Sequence, residues 1–233
     1  SETRSEASRG VLELGLIVAA ALLAWGLTGL AVNALSSQRH RIEPNERSMH
    51  KVPTPAGGGI AIVTAIAVLW PVWSWPSATL PKLLLALAIT LAVVSWIDDR
   101  RDLWPLTRLV TQAVAVAIVV ACVPDKWRVL PAMPLLGERA LLALAWLWMI
   151  NLNNFMDGID GLAGSEAMAV GLGYAGVTIL AGGDRGFEPL ALAIAGASAG
   201  YLVWNWHPAR IFMGDVGSIP LGYLLGFLML DLA

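Results

Sequence analysis

The sequence predicts an all-α protein, a bundle of transmembrane helices that crosses the bilayer about eight times. The chain has 233 residues, of which 57% are hydrophobic and only 14% are charged, whereas soluble domains carry about 45–50% apolar and about 25% charged residues. A soluble domain of this size could not bury so many apolar side chains, because much of its surface must face water. A single cysteine excludes a disulfide framework, and a net charge of −2 provides no basic surface for nucleic acid. We therefore interpret residues 1–233 as one integral-membrane domain.

Eight apolar segments account for most of the chain. A helix of about 20 mostly apolar residues crosses a bilayer core about 30 Å thick, and the segments with this pattern are 11–35, 57–75, 80–97, 105–123, 139–156, 161–181, 188–205 and 217–233. Open strands are costly in lipid because their backbone groups have no partners. The segments are rich in Ala, Leu and Gly without alternating polarity, which favours helices over a β-barrel.

Eight crossings would bring four loops to one side of the membrane, near residues 36–56, 98–104, 151–160 and 205–217. These loops carry more Lys and Arg than the opposite loops, so the positive-inside rule places them in the cytoplasm. The same loops hold acids and amides that the opposite loops do not match: Asp98, Asp99, Asp102, Asn151, Asn153, Asn154, Asp157, Asp160, Asn205 and Asp215. This pattern predicts one site assembled from several helix ends.

Two adjacent carboxylates, Asp98 and Asp99, close the third apolar segment. Adjacent acids repel each other, so a nearby cation would stabilise their charged forms. Because Mg²⁺ prefers carboxylate oxygens together with substrate phosphates, one interpretation is a metal-linked or general-base pair. The other is a charged cap at the membrane surface, balanced by the arginines that follow.

Amides and acids recur with helical spacing after the fifth segment. Asn151, Asn154 and Asp157 are each three residues apart, which stacks them along one face of a helix. Gly158 and Gly161 permit a tight turn and a close approach to a ligand. A solvated loop would explain the Gly and Asp content but not the regular Asn spacing, so a functional site is the favoured interpretation.

Asp215 stands where the last segment begins. A helix N-terminus at this point would present free N–H groups to a phosphate. Asp215 could equally be the N-cap residue of that helix. His207, which precedes a proline, is interpreted as a structural or interfacial histidine rather than a metal ligand.

The stretch from Pro44 to Gly59 is a loop, because its prolines and its glycine triplet break regular structure. Two interpretations stay open for it. It could contact an anion such as a lipid phosphate, with His50, Lys51 and Thr54 as candidate contacts, or it could be a positively charged connection at the membrane surface.

Four stretches in this order resemble the polyprenyl-phosphate sugar-1-phosphate transferases of glycosyltransferase family 4: PNERSMHKVPTPAGGG, WIDDRRDL, NLNNFMDGIDGLAG and WNWHPARIFMGDVGS. The first stretch is most similar to the bacterial enzymes that initiate O-antigen synthesis. The resemblance implies transfer of a sugar-1-phosphate from a UDP-N-acetylhexosamine, or a derivative of one, to a polyprenyl phosphate such as undecaprenyl phosphate. The products would be a polyprenyl-diphosphate-sugar and UMP, made for a cell-envelope polysaccharide such as lipopolysaccharide or cell wall. A requirement for Mg²⁺ is implied, with Mn²⁺ as a substitute.

The resemblance also implies roles for individual residues. Asp215 would ligate Mg²⁺, with Asn154 as a second ligand, while Asp98 and Asp99 would lie near the lipid phosphate and Asp98 would deprotonate or orient it. Asp160 would accept a hydrogen bond from the uracil ring N–H. The full set implied for UDP-sugar binding is Asn151, Asp157, Gly158, Asp160, Asn205 and Phe212, with Phe212 stacking on uracil.

Two alternatives to an active transferase stay open. Family members usually have ten or eleven spans and a further loop with a His-x-His motif, which is not found before Ala233, so an inactive, C-terminally truncated member is one alternative. A cation- or proton-coupled transporter is another, although it would hold acids near the bilayer midplane and show two related halves. The glycine-rich stretch 171–176 permits close helix packing within the bundle or in a homodimer.

Overall fold

The structure, a computed structural model, describes residues 2–35, 41–42, 54–73, 78–101, 104–125, 127–181 and 186–233. Over these residues the chain forms eight helices: α1 (Glu2–Leu35), α2 (Gly59–Trp73), α3 (Thr79–Arg101), α4 (Pro105–Cys122), α5 (Leu135–Met156), α6 (Leu162–Leu180), α7 (Glu188–Asn205) and α8 (Asp215–Leu232). Two short strands, β1 (Arg41–Ile42) and β2 (Thr54–Pro55), pair antiparallel. Each helix coincides with one of the apolar segments, and the predicted all-α, polytopic membrane fold is confirmed.

Within the described residues, six helices are long and apolar enough to cross a membrane: α1 from Gly10 onward, α3, α4, α5, α6 and α8. Helix α2 has only 15 residues, which corresponds to about 22 Å of helix. Helix α7 has 18 residues but begins with Glu188 and ends with Asn205. Because α7 is buried along most of its length among the other helices, these polar ends do not face lipid.

Helices α7 and α8 form the centre of the bundle. Helix α7 packs against α1, α2 and α6, and α8 packs against α3 and α5. Glycines allow the α1 and α7 backbones to touch: an ideal Cβ at Gly196 would lie 2.3 Å from the Ile17 carbonyl oxygen, and one at Gly200 would lie 2.0 Å from that of Ala21. Small residues commonly bring transmembrane helices this close.

The glycine-rich stretch of α6 contributes to this packing at one position only. An ideal Cβ at Gly171 would lie 2.6 Å from the Ala191 carbonyl oxygen on α7, so this glycine packs inside the bundle. An ideal Cβ at Gly173 or at Gly176 would have no neighbouring atom within 4 Å. The homodimer stays a prediction.

Aromatic residues fix α5 against α8. The rings of Trp146 and Tyr223 stack with their centroids 5.1 Å apart, and both side chains are fully buried. The Trp146 indole Nε1 donates a hydrogen bond of 2.8 Å to the Tyr223 carbonyl oxygen. This contact sets the height of α5 relative to α8, and therefore the relative positions of the polar residues near their ends.

The segment that precedes α2 is paired with the segment that precedes α8. Phe212 donates its N–H to the Pro55 carbonyl oxygen over 2.9 Å, and its own carbonyl oxygen accepts from Gly57 and Gly58. Gly59 donates to the Met213 carbonyl oxygen, also over 2.9 Å. The amides of the glycine triplet are thus used to hold the backbone before α8.

Helices α2 and α8 begin in direct backbone contact. An ideal Cβ at Gly217 would lie only 2.3 Å from the Gly59 Cα, and the reciprocal distance from Gly59 to the Gly217 Cα is 2.4 Å. Atoms cannot approach so closely, so only glycine fits either position without moving a helix. The start of α8 is therefore fixed by the start of α2.

Candidate active site

A cluster of charged side chains lies where α3 ends and where α4 and α8 begin. The Arg108 Nη1 atom donates to Oδ2 of Asp98 over 3.2 Å and also to Oδ2 of Asp215. The side chains of Asp98 and Asp215 are 7% and 19% exposed, and that of Arg108 is 37% exposed. Asp98 and Asp215 are 117 residues apart in sequence, and one guanidinium holds them together.

Asp215 is the first residue of α8, and its carboxylate does not cap that helix. The N-cap residue is Gly214, which has a φ of 71° and no side chain to cap with. The cap comes from another helix, because the Val216 N–H donates to Oδ2 of Asp99 over 3.2 Å. Asp99 thus places a negative charge at the positive end of the α8 dipole. This leaves the Asp215 carboxylate to interact with side chains.

The end of α5 is joined to the first turn of α8 by two amides. Asn154 Nδ2 donates to Asp215 Oδ1 over 2.7 Å and to Ser218 Oγ over 2.8 Å. Asn153 is fully buried, and its Nδ2 donates to the Ser218 carbonyl oxygen over 2.6 Å. Helix α5 continues through these residues, so Asn151 to Met156, where the predicted span 139–156 and the predicted loop near 151–160 overlap, are helical.

Asp157 supports the backbone that carries Asp215. Its two carboxylate oxygens accept hydrogen bonds from the Met213 N–H over 2.9 Å and from the Gly214 N–H over 2.7 Å. Burial raises the pKa of Asp157 to about 7, against the lowering effect of these two donors. The contact fixes the turn that leads into α8.

A second acidic residue of the same turn pairs with a histidine. Asp160 Oδ2 lies 2.8 Å from His207 Nδ1 and accepts from the Ala209 N–H over 3.1 Å. The Asp160 side chain is 3% exposed, whereas that of His207 is 65% exposed. Among the described residues, no hydrogen-bond partner reaches the buried Asp160 Oδ1.

Asn205 joins the same two segments. Its Oδ1 accepts from the Gly161 N–H over 3.0 Å, and its Nδ2 donates to the Ile211 carbonyl oxygen over 2.9 Å. Gly161 has a φ of 74°, so the left-handed position of this turn is at Gly161 and not at Gly158. Gly158 is exposed, and the nearest atom to an ideal Cβ there is 3.6 Å away.

Several predicted residues lie away from the charged cluster. Asn151 is directed to α4, where its Nδ2 donates to Gln112 Oε1 over 3.0 Å. Phe212 is fully buried, so its ring offers no exposed face for stacking. Thr54 lies in β2 and is 6% exposed. His50 and Lys51 lie outside the described residues.

Sequence reasoning missed Arg108 as a site residue and Gln112 as the partner of Asn151. They are four residues apart on α4 and therefore share one face of the helix, which contacts Asp98, Asp215 and Asn151. The available signal was this pairing of a cation and an amide at helical spacing inside an apolar segment. Such residues are costly at membrane depth without partners.

The donor set fits Mg²⁺. Among the described residues, no three His, Cys, Asp or Glu side chains form a ready-made metal site. Mg²⁺ does not need one, since it commonly takes one or two carboxylates and completes its octahedral shell with waters and substrate phosphates. Asp98 and Asp215 already share one cationic nitrogen, and the Asn154 amide is adjacent to them. The positively charged Arg108 guanidinium lies between the Asp98 and Asp215 carboxylates.

Comparison with known proteins identifies the family of the chain. Residues 82–233 match the model of "Glycosyl transferase family 4". The chain is 33% identical to the decaprenyl-phosphate N-acetylglucosaminephosphotransferase of Mycobacterium leprae, over 94% of this chain and 62% of that protein. It is 30% identical to the phospho-N-acetylmuramoyl-pentapeptide-transferase of Moorella thermoacetica, over 83% of this chain and 66% of that protein.

The phospho-N-acetylmuramoyl-pentapeptide-transferase of Synechococcus sp. (strain JA-2-3B'a(2-13)) is 33% identical to this chain, over 95% of this chain and 67% of its own length. The chain spans about three fifths of the length of the mycobacterial relative. All four stretches that carry the resemblance lie within the chain, and three of them lie within the matched region 82–233. The chain belongs to glycosyl transferase family 4.

Proposed function

We propose that the protein transfers a sugar-1-phosphate from a UDP-N-acetylhexosamine to a polyprenyl phosphate, at the cytoplasmic face of the inner membrane. The relatives are named for transfer of N-acetylglucosamine phosphate or phospho-N-acetylmuramoyl-pentapeptide, the first of them with decaprenyl phosphate in its name. The observation that carries the proposal is the meeting of Asp98, Arg108 and Asp215 at one end of an apolar bundle. A lipid phosphate held by the membrane and a water-soluble nucleotide could both reach this end.

The reaction forms one bond and breaks another. An oxygen of the lipid phosphate attacks the sugar-bearing phosphorus of the donor, and the bond from that phosphorus to the bridging oxygen breaks. UMP leaves with the electron pair, and the lipid now carries a diphosphate-linked sugar. Because both substrates are anionic, the main barriers are charge repulsion and misalignment, which positioned cations and donors reduce.

The residues of the charged cluster would each have a separate role in the reaction. Asp215 and Asn154 would hold Mg²⁺ or Mn²⁺, which when bound neutralises charge on the diphosphate. Asp98 lies beside them and would orient the lipid phosphate, or take its remaining proton. Asp99 caps α8 and so keeps Asp215 at its place.

The turn after α5 would bind the nucleotide. The buried Oδ1 of Asp160 has no partner among the described residues, which suits an acceptor for the ring N–H of uracil. Asp157 and Asn205 would act by holding the surrounding backbone, through the contacts with Met213, Gly214 and Gly161. Phe212 and the Asp160 Oδ1 atom are both buried, so base binding at either would require this turn to move. We assign recognition of the base to Asp160, because its Oδ1 is, among the described residues, the one of the two with an unused acceptor.

Release of UMP tests the proposal directly. In proteoliposomes, UMP should form from a UDP-N-acetylhexosamine only when a polyprenyl phosphate and Mg²⁺ are both present, and EDTA should stop it. A panel of UDP-N-acetylglucosamine, UDP-N-acetylgalactosamine and UDP-N-acetylmuramoyl-pentapeptide identifies the donor. If a folded protein released no UMP from any of these donors, this chain would be an inactive member of the family.

Cysteine labelling tests the proposed side of the membrane. Cys122, the one cysteine of the chain, is exposed at the end of α4 opposite to Arg108. In right-side-out vesicles an impermeant maleimide should label Cys122, whereas Ser48→Cys in a Cys122→Ser background should react only after permeabilisation. Labelling of Ser48→Cys in sealed vesicles would contradict the cytoplasmic assignment.

A further inference from the structure

The position of Arg108 has a consequence for cation binding. We infer that Arg108 is an internal counter-ion, which holds Asp98 and Asp215 together before a divalent cation binds and is displaced when the cation arrives. The inference rests on the proposed function, because it takes Asp215 to be a metal ligand. It concerns the competition between two cations and not the transfer reaction.

The first argument is geometric. Arg108 uses one nitrogen, Nη1, to contact Oδ2 of both carboxylates. A magnesium ion bound to Oδ2 of Asp215 would lie about 2.0–2.1 Å from this atom, which already accepts from the guanidinium. The guanidinium and the metal ion therefore compete for this oxygen atom, and their like charges oppose close approach.

The second argument is electrostatic. Asp98, Asp99 and Asp215 come together around α8, and a largely buried carboxylate without a counter-ion is strongly disfavoured. The neighbouring Arg100 is engaged elsewhere, since its guanidinium carbon lies 3.7 Å from the centre of the Trp96 ring. Arg108 therefore supplies positive charge between Asp98 and Asp215.

The third argument concerns mobility of the side chain. The Arg108 side chain is 37% exposed, much more than the 7% of Asp98. A long arginine side chain at such a position can keep its stem against the protein while its charged head moves into water. Displacement therefore does not require α4 to move.

Manganese binding without either substrate tests the inference. In the detergent-purified full chain, Arg108→Gln should bind Mn²⁺ about tenfold more tightly than wild type, measured from the loss of the free Mn²⁺ signal by electron paramagnetic resonance. The same variant should unfold at a lower temperature than wild type in EDTA, and added Mn²⁺ should narrow this difference. A structural role alone would lower stability without tightening Mn²⁺ binding.

Arg100→Gln is the matched control, because it removes the same charge near the cluster without touching either carboxylate. Its Mn²⁺ affinity should change by less than about threefold, since exposed charges are screened. If Arg108→Gln does not fold, Arg108→Lys serves instead, and its single ammonium should compete less well and give intermediate affinity. Unchanged or weaker Mn²⁺ binding in the folded variant, or no binding in any form of the protein, would overturn the inference. Since no substrate is used, a failure of UMP release does not affect this result.

Discussion

Asp215→Asn should lower UMP release by at least about 10²–10³-fold, the range found when one preorganised electrostatic contact is removed from an active site. The substitution keeps the size of the side chain and its neighbours Arg108 and Asn154, but it removes the negative charge that the proposed metal ion requires. The fold should persist, because Asp215 does not cap α8. Initial rates of UMP release at saturating Mg²⁺, together with thermal unfolding of the same preparation, measure both effects.

Asp231→Asn is the matched control. It makes the identical change at the other end of α8, where Asp231 Oδ2 accepts a hydrogen bond of 2.5 Å from the Tyr174 hydroxyl. An asparagine oxygen can still accept this bond, so transfer should stay within about twofold of wild type. Near-full activity in folded Asp215→Asn would show that the metal assignment is wrong.

Gly217→Ala should be the most damaging single methyl addition near the site. Its Cβ would lie 2.3 Å from the Gly59 Cα and 2.5 Å from the Met213 Cγ. Because one of these neighbours is backbone, a change of rotamer cannot relieve the clash, and α2 and α8 must separate. We expect the free energy of unfolding to fall by about 1–3 kcal/mol, as in other overpacked cores, and transfer to fall with it because Asp215 moves.

Gly173→Ala and Gly176→Ala provide the comparison. Both positions lie in α6 with no atom within 4 Å of the added methyl group. Alanine in a helix interior is favoured over glycine by about 0.5–1 kcal/mol, so these variants should unfold at or above the wild-type temperature. Chemical unfolding in detergent, monitored by tryptophan fluorescence, compares the stabilities of the three glycine variants. Equal stability of Gly217→Ala and Gly173→Ala would contradict the described contact between the two helices.

The sequence was sufficient to predict the helices and the end of the bundle at which the polar residues meet. Apolar runs of membrane-spanning length identify helices without knowledge of their neighbours. Alternation of the loops then places Asp98, Asn154 and Asp215 on one side. In the structure Arg108 joins Asp98 to Asp215, and Asn154 donates to Asp215. This part of the prediction depends only on counting crossings.

The partners of these residues could not be predicted, because they depend on which helices are neighbours. Asn151 and Asn154 have the spacing of a common helix face, yet Asn151 contacts α4 whereas Asn154 contacts α8. Asp99 looks like the end of its own helix in the sequence but caps a different one. Phe212 stands in a loop, and only its pairing with residues 55–58 explains its full burial.

The pairing between residues 55–59 and residues 212–213 also bears on how the protein could be shortened. The family model begins at Lys82, and a fragment cut there would keep every carboxylate discussed above. It would lack the N–H groups that occupy the Phe212 and Met213 carbonyl oxygens, leaving a buried turn with unsatisfied acceptors. Such a fragment should not fold into an active form unless residues 54–73 are supplied as a separate peptide.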